Sequence, residues 1–162
     1  MATNHRDANS IGPDLDGSDV RIGLVCGRFN DVITNRLLDG AEAAFARHGV
    51  TPDRVVTVWV PGAFEIPMAA LSLIENGHVD AVVGLGCVIR GETSHYDFVA
   101  GECARGIQDV QLATGAPVVF GVLTTENLEQ ALARSSDDDN KGDDCVCTAI
   151  EMVNLLRRLE TD

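Results

Sequence analysis

"DAVVGLGCVIRGETSH", residues 80–95, is the stretch on which the fold turns. From Ala81 to Ile89 the chain is unbroken by any charged side chain, and then Arg90, Gly91, Glu92, Thr93, Ser94 and His95 follow at once. A strand with one wet face alternates apolar and polar residues. A continuous apolar run that stops at a turn reads instead as a strand buried on both faces. In an open parallel sheet, ligands bind just beyond the carboxyl ends of the strands, so a polar, titratable cluster at that place is where chemistry is expected.

The same grammar extends in both directions. "RIGLVC" (21–26), "RVVTVWV" (54–60) and "PVVFGVL" (117–123) read as further strands, rich in β-branched residues. Asn30 or Asp31 is placed to cap a helix to about His48, in which Ile33, Leu37, Ala41, Ala44 and Phe45 recur at helical spacing and which Gly49 ends. Pro67 suits the first turn of a helix from Glu65 to Asn76, closed by Gly77. Helices over 95–114, 126–134 and 145–159 complete the pattern, with "SSDDDNKGDD" (135–144) as a loop. Strands alternating with helices predict an α/β fold: a three-layer α/β/α sandwich around a central parallel four-stranded sheet. Residues 20–162 form one domain in this reading, and the polar residues 1–19 form a flexible N-terminal tail.

Composition removes several function classes. Twenty-five acidic against twelve basic residues give a net charge of −13, which repels phosphate backbones and anionic membrane surfaces, so no nucleic-acid or membrane partner is expected. No apolar stretch is long enough to span a bilayer. "MATNHRDANSIGPDLDGSD" (1–19) lacks a basic region followed by an apolar one, and a cytoplasmic location is the expectation. The five cysteines (Cys26, Cys87, Cys103, Cys145 and Cys147) form no C-x-x-C and no cluster with ligand spacing, so they read as reduced and mostly structural, with no metal. The turn "CGRFND" is not G-x-G-x-x-G, and no Walker sequence occurs, which disfavours NAD and ATP.

The residues after the strands carry the candidate chemistry. His95 lies where a helix begins. The positive end of the helix dipole disfavours an imidazolium there and leaves a ring able to accept a proton. Gly91, Glu92 and Thr93 offer backbone N–H groups to an anion. A polar helix start with an exposed histidine describes the same stretch equally well. Phe29 sits in a turn, where an aromatic needs something to cover it, or staples onto the following helix. Glu65 can cap its own helix. Lys141 is the only lysine beside eleven arginines. It can serve as a compact donor that loses its proton when desolvated, or neutralise Asp138 and Asp139. Arg134 ends a helix, where a cation is favoured, and its fork can hold a phosphate.

Together "GRFNDVITNRLLDGA", "VPGAFEIP", "GLGCVIRGETSHYDFV", "VVFGVLTTEN", "EQALAR" and "NKG…AIEM" resemble the lumazine synthase family, in this order and over about residues 21–160. The resemblance implies a flavodoxin-like fold. It also implies condensation of 5-amino-6-(D-ribitylamino)uracil with 3,4-dihydroxy-2-butanone 4-phosphate to 6,7-dimethyl-8-ribityllumazine, with no cofactor. It implies that Phe29 stacks on the pyrimidine, that Asn30 and Ala63-Phe64-Glu65 meet the ribityl chain, and that backbone groups of Cys87, Val88 and Ile89 read the ring edge. Glu92, Thr93 and Arg134 would hold the phosphate, and His95 would shuttle protons. Phe120 of a neighbouring subunit would complete the pocket, and Lys141 would approach the pyrimidine. The family is at least pentameric, with sites between subunits.

One stretch departs from the family. Capsid-forming relatives usually carry a Gly- and Lys-bearing loop after the arginine, one residue longer than "SSDDDNKG" (135–142). The three aspartates are expected to face solvent, and the shorter loop favours a pentamer or paired pentamers over an icosahedral shell. A flavin or lumazine binder without turnover and a scaffold valued for its shell are the rival readings. Phe29, His95, Arg134 and Lys141 occurring together favour the enzyme, and the altered loop weakens the scaffold.

Overall fold

A computed structural model describes residues 10–161. Four strands, β1 (Ile22–Gly27), β2 (Val55–Val60), β3 (Ala81–Ile89) and β4 (Val118–Thr125), form one all-parallel sheet in the order β2-β1-β3-β4. Five helices accompany it: α1 (Asp31–His48), α2 (Ile66–Glu75), α3 (His95–Thr114), α4 (Leu128–Ala133) and α5 (Lys141–Thr161). The chain steps from β1 outward to β2, then back across β1 to β3. With right-handed crossovers that reversal sends α1 and α2 to opposite faces. The core accordingly splits in two. Ile22, Leu24, Cys26, Val83 and Leu85 pack with α1 and α5, while Val25 and Val82 pack with Ile66 of α2 and Ile107 of α3. The molecule is therefore a three-layer, flavodoxin-like α/β/α sandwich.

Several element ends differ from the sequence reading, each for a local reason. β4 runs to Thr125 instead of Leu123, because β3 is long enough to pair Ile89 with Thr125. α4 starts at Leu128: Asn127 Oδ1 accepts from Gln130 N at 2.9 Å, and Gln130 Oε1 accepts from Glu126 N at 2.9 Å, a reciprocal cap that fixes the start. The last helix begins at Lys141 and not at Cys145. Asn140 Oδ1 accepts from Gly142 N at 2.9 Å, and Asp143 and Asp144 suit the positive end of the dipole. β2 also departs from the expectation of strands covered on both faces: as an edge strand it has no fully buried residue.

At the amino end, residues 1–9 of the predicted tail lie outside the described residues. Residues 14–18 run along α5 and the end of α1. Asn154 Nδ2 donates to the carbonyls of Asp14 (3.0 Å) and Asp16 (2.9 Å), and Gly17 N donates to the His48 carbonyl at 2.8 Å.

Candidate active site

The order β2-β1-β3-β4 puts the topological switch point between β1 and β3. Ligands of open α/β sheets bind there, in the crevice beyond the strand ends. β1 leads into Arg28, Phe29 and Asn30. Arg28 N and Phe29 N donate to the carbonyls of Val60 (2.9 Å) and Pro61 (3.1 Å), so the loops after β1 and β2 are zipped together. Asn30 is the only described non-glycine residue at positive φ (60°), a left-handed turn that asparagine tolerates. Its side chain makes no cap bond on α1. Asn30 Nδ2 instead donates to the Cys87 carbonyl at 2.9 Å, tying the β1 loop to β3 across the switch point.

That turn leaves Phe29 74% exposed, so the ring is not stapled onto α1. A β-carbon on Gly62 would stand 3.6 Å from Glu65 Oε2 and 3.8 Å from Phe29 Cβ, ordinary contact distances, so Phe29 and Glu65 stand on one rim around Gly62. Glu65 precedes α2 without making a side-chain cap bond. Ala63 is buried beneath this rim and Phe64 is exposed on it. Cys87 is buried, and burial pushes its thiol up to about 11, so the thiol keeps its proton at neutral pH. Val88 and Ile89 are half-buried at the end of β3.

Residues 90–95 are all exposed, and His95 opens α3. Thr93 Oγ1 accepts from His95 N at 3.4 Å. Among the described residues, no hydrogen bond engages the N–H groups of Gly91, Glu92 or Thr93. Arg90, noted in the sequence without a role, links this turn to its neighbour. Its guanidinium donates to Glu126 (2.8 Å) and Asp97 (3.1 Å) and lies 4.2 Å from the Tyr96 ring centroid. The Asp97 hydrogen bond, followed by the charges of Asp97 and Glu126, holds that guanidinium above its ordinary value.

The other predicted residues lie on other elements, β4, the end of α4 and the start of α5. Arg134 follows α4 and donates to the Gln130 carbonyl at 3.1 Å. Lys141 pairs with Asp139 (2.7 Å) and Asp144 (3.1 Å). Asp139 first and Asp144 second hold its ammonium above the usual lysine range, the acid-neutralising arrangement of the two read from the sequence, with Asp139 and Asp144 as the partners. Asp137, Asp138 and Asp139 all face solvent. Phe120, 40% exposed on the outer strand β4, pairs with Gly84, whereas Asn30 bonds at the level of Cys87, the partner of Leu123. Three residues of strand put Phe120 about 10 Å back from the crevice of its own chain.

Among the described residues, no three His, Cys, Asp or Glu side chains gather as a metal would require. No helix among the described residues is long and apolar enough to cross a membrane. Two concavities, of 440 and 360 Å³, lie along α1 and contain none of the predicted site residues. A family model for 6,7-dimethyl-8-ribityllumazine synthase matches residues 19–157, a span that takes in every strand and each of the loops just described. With that match over most of its length, the chain belongs to the 6,7-dimethyl-8-ribityllumazine synthase family, whose members act in riboflavin biosynthesis.

Proposed function

We propose that the protein is a transferase that condenses 5-amino-6-(D-ribitylamino)uracil with 3,4-dihydroxy-2-butanone 4-phosphate. The product is 6,7-dimethyl-8-ribityllumazine, and phosphate and water leave. The supporting observation is the switch-point crevice, where the exposed Phe29 ring flanks a left-handed turn tied to the Cys87 carbonyl. A planar pyrimidine stacks on Phe29, its ring edge reads the backbone of Cys87, Val88 and Ile89, and its ribityl chain runs past Asn30 and Ala63-Phe64-Glu65. The phosphate lies against the exposed turn Glu92-Thr93, where N–H groups and the α3 dipole favour an anion, with Arg134 as counter-charge.

The pyrimidine brings its own amine nucleophile, so the protein needs none. Schiff-base formation and phosphate elimination both move protons, and His95 at the head of α3 takes and returns them. Most of the rate enhancement comes from holding two substrates in register.

Phe120 and the exposure of Phe29 and of residues 90–95 favour a site shared between copies. A ring about 10 Å behind its own strand ends serves a neighbour's pocket instead. The assembly in this reading is a homo-oligomer of at least five copies, located in the cytoplasm, and residues 20–162 act as one domain. Mixing the protein with both substrates and following phosphate release together with the product's absorbance tests the activity. A rate equal to that of the uncatalysed mixture rejects it.

A further inference from the structure

Arg134 and Lys141, seven positions apart in the sequence, are neighbours in the fold. Lys141 N donates to the Arg134 carbonyl at 3.0 Å, and Ser135 bridges Asn140 in antiparallel fashion, so residues 135–140 close a hairpin with the two cations at its foot. Helix α1 grips that foot reciprocally. Arg36 Nε donates to the Ser135 carbonyl (3.1 Å) and hydroxyl (3.2 Å), and Asn140 Nδ2 donates to the carbonyl of Arg36 at 2.9 Å. The same amide caps α5 through Gly142 N at 2.9 Å. Ser135 is 2% exposed, and its hydroxyl donates to the Ala131 carbonyl at 2.9 Å. Two glycines make the approach possible: a β-carbon on Gly40 would collide with the Asn140 amide, and one on Gly142 with the Leu37 carbonyl.

The cationic heads themselves are held loosely. Lys141 leans on carboxylates that are more than half exposed, and pairs of that kind fix a side chain weakly. The half-buried backbone clamp sets where the two cations stand.

We propose that Arg36 and Asn140 are positioning residues for the reaction. Without touching substrate, they hold the Arg134–Lys141 foot at the height where Arg134 can meet the phosphate substrate. This rests on the functional reading above, in which Arg134 holds the phosphate. A shift of about 1 Å in such a group is enough to weaken productive binding.

The test is steady-state phosphate release with each substrate varied in turn. It uses the wild-type chain, Asn140→Ala, Arg36→Gln, Arg134→Ala and the double variant Asn140→Ala/Arg134→Ala. Asn140→Ala and Arg36→Gln are each expected to raise KM for the sugar phosphate about tenfold with a smaller change in kcat. In the Arg134→Ala background, Asn140→Ala is expected to add less than about twofold, because the group it positions is gone. An equal penalty in both backgrounds, or an unchanged KM in the clamp variants, overturns the proposal. If Asn140→Ala does not fold, Arg36→Gln and its double variant with Arg134→Ala decide the matter from the α1 side. A wild-type chain without turnover sinks the enzyme reading and the clamp's role with it. Turnover indifferent to the clamp variants sinks the clamp alone.

Discussion

β1 and β2 have nearly the same chemistry and opposite surroundings. IGLVCG is buried at every position, whereas VVTVWV has no fully buried position, and Trp59 is 38% exposed. β1 has a strand on each side and helices on both faces, while β2 is an edge. Composition makes both strands, but place in the sheet decides what each apolar side chain is for. On β1 it holds the fold. On β2, together with the exposed Phe29, Phe64 and Met68, it leaves apolar surface of the sort that marks an interaction site. The proposed oligomer covers that surface.

The largest expected effect belongs to the central strands. Leu85, fully buried on β3, costs about 3 kcal/mol when cut to alanine, read from the urea midpoint. Trp59→Ser on β2 should leave the unfolding of the single chain within about 0.5 kcal/mol of wild type and instead lower the assembled mass in analytical ultracentrifugation. A wild-type mass for Trp59→Ser would erase the distinction between the two strands.

Next come the variants at the strand ends. His95→Ala is expected to lower kcat about a hundredfold without abolishing turnover, since positioning survives. Undiminished turnover would remove the proton shuttle. Arg134→Ala should raise KM for the sugar phosphate about tenfold and leave kcat closer to wild type. Unaltered saturation would detach that guanidinium from the phosphate.

The smallest effect separates the buried layer from the surface by pH. Burial pushes Cys26, Cys103 and Cys145 up to about 12 from an ordinary 9.0. The folded thiols keep their protons while unfolded ones release them, so this contribution is complete below pH 9.0 and is lost as pH rises toward 12. Near pH 10 each buried thiol should account for about 1 kcal/mol, and Cys103→Ala should flatten the fall of the urea midpoint between pH 8 and 10 by about that much. An equally steep fall without Cys103 would contradict the assignment.

Periodicity made the sheet, its parallel sense and most helices legible, because unbroken apolar runs and helical spacing are properties of single segments. The start of α5 was not legible in that way: "DDDNKGDD" has loop composition, and only Asn140 pairing with Arg36, 104 positions away, reveals the cap. The site was half legible. Polar clusters after strands pointed to Phe29, Glu65 and His95, and the family resemblance supplied their roles. Asn30 bonding to Cys87 and Arg90 bridging Asp97 and Glu126 depend on which strands lie side by side, and no local pattern carries that.

The central claim is that one working site takes His95 from one copy and Phe120 from another. It is tested most directly by co-refolding His95→Ala chains with Phe120→Ala chains in equal amounts and measuring phosphate release. Random mixing leaves about a quarter of the sites with both native side chains, so activity should climb to about a quarter of wild type, above the mean of the two separate variants. Activity no higher than that mean would mean that each chain builds its site alone.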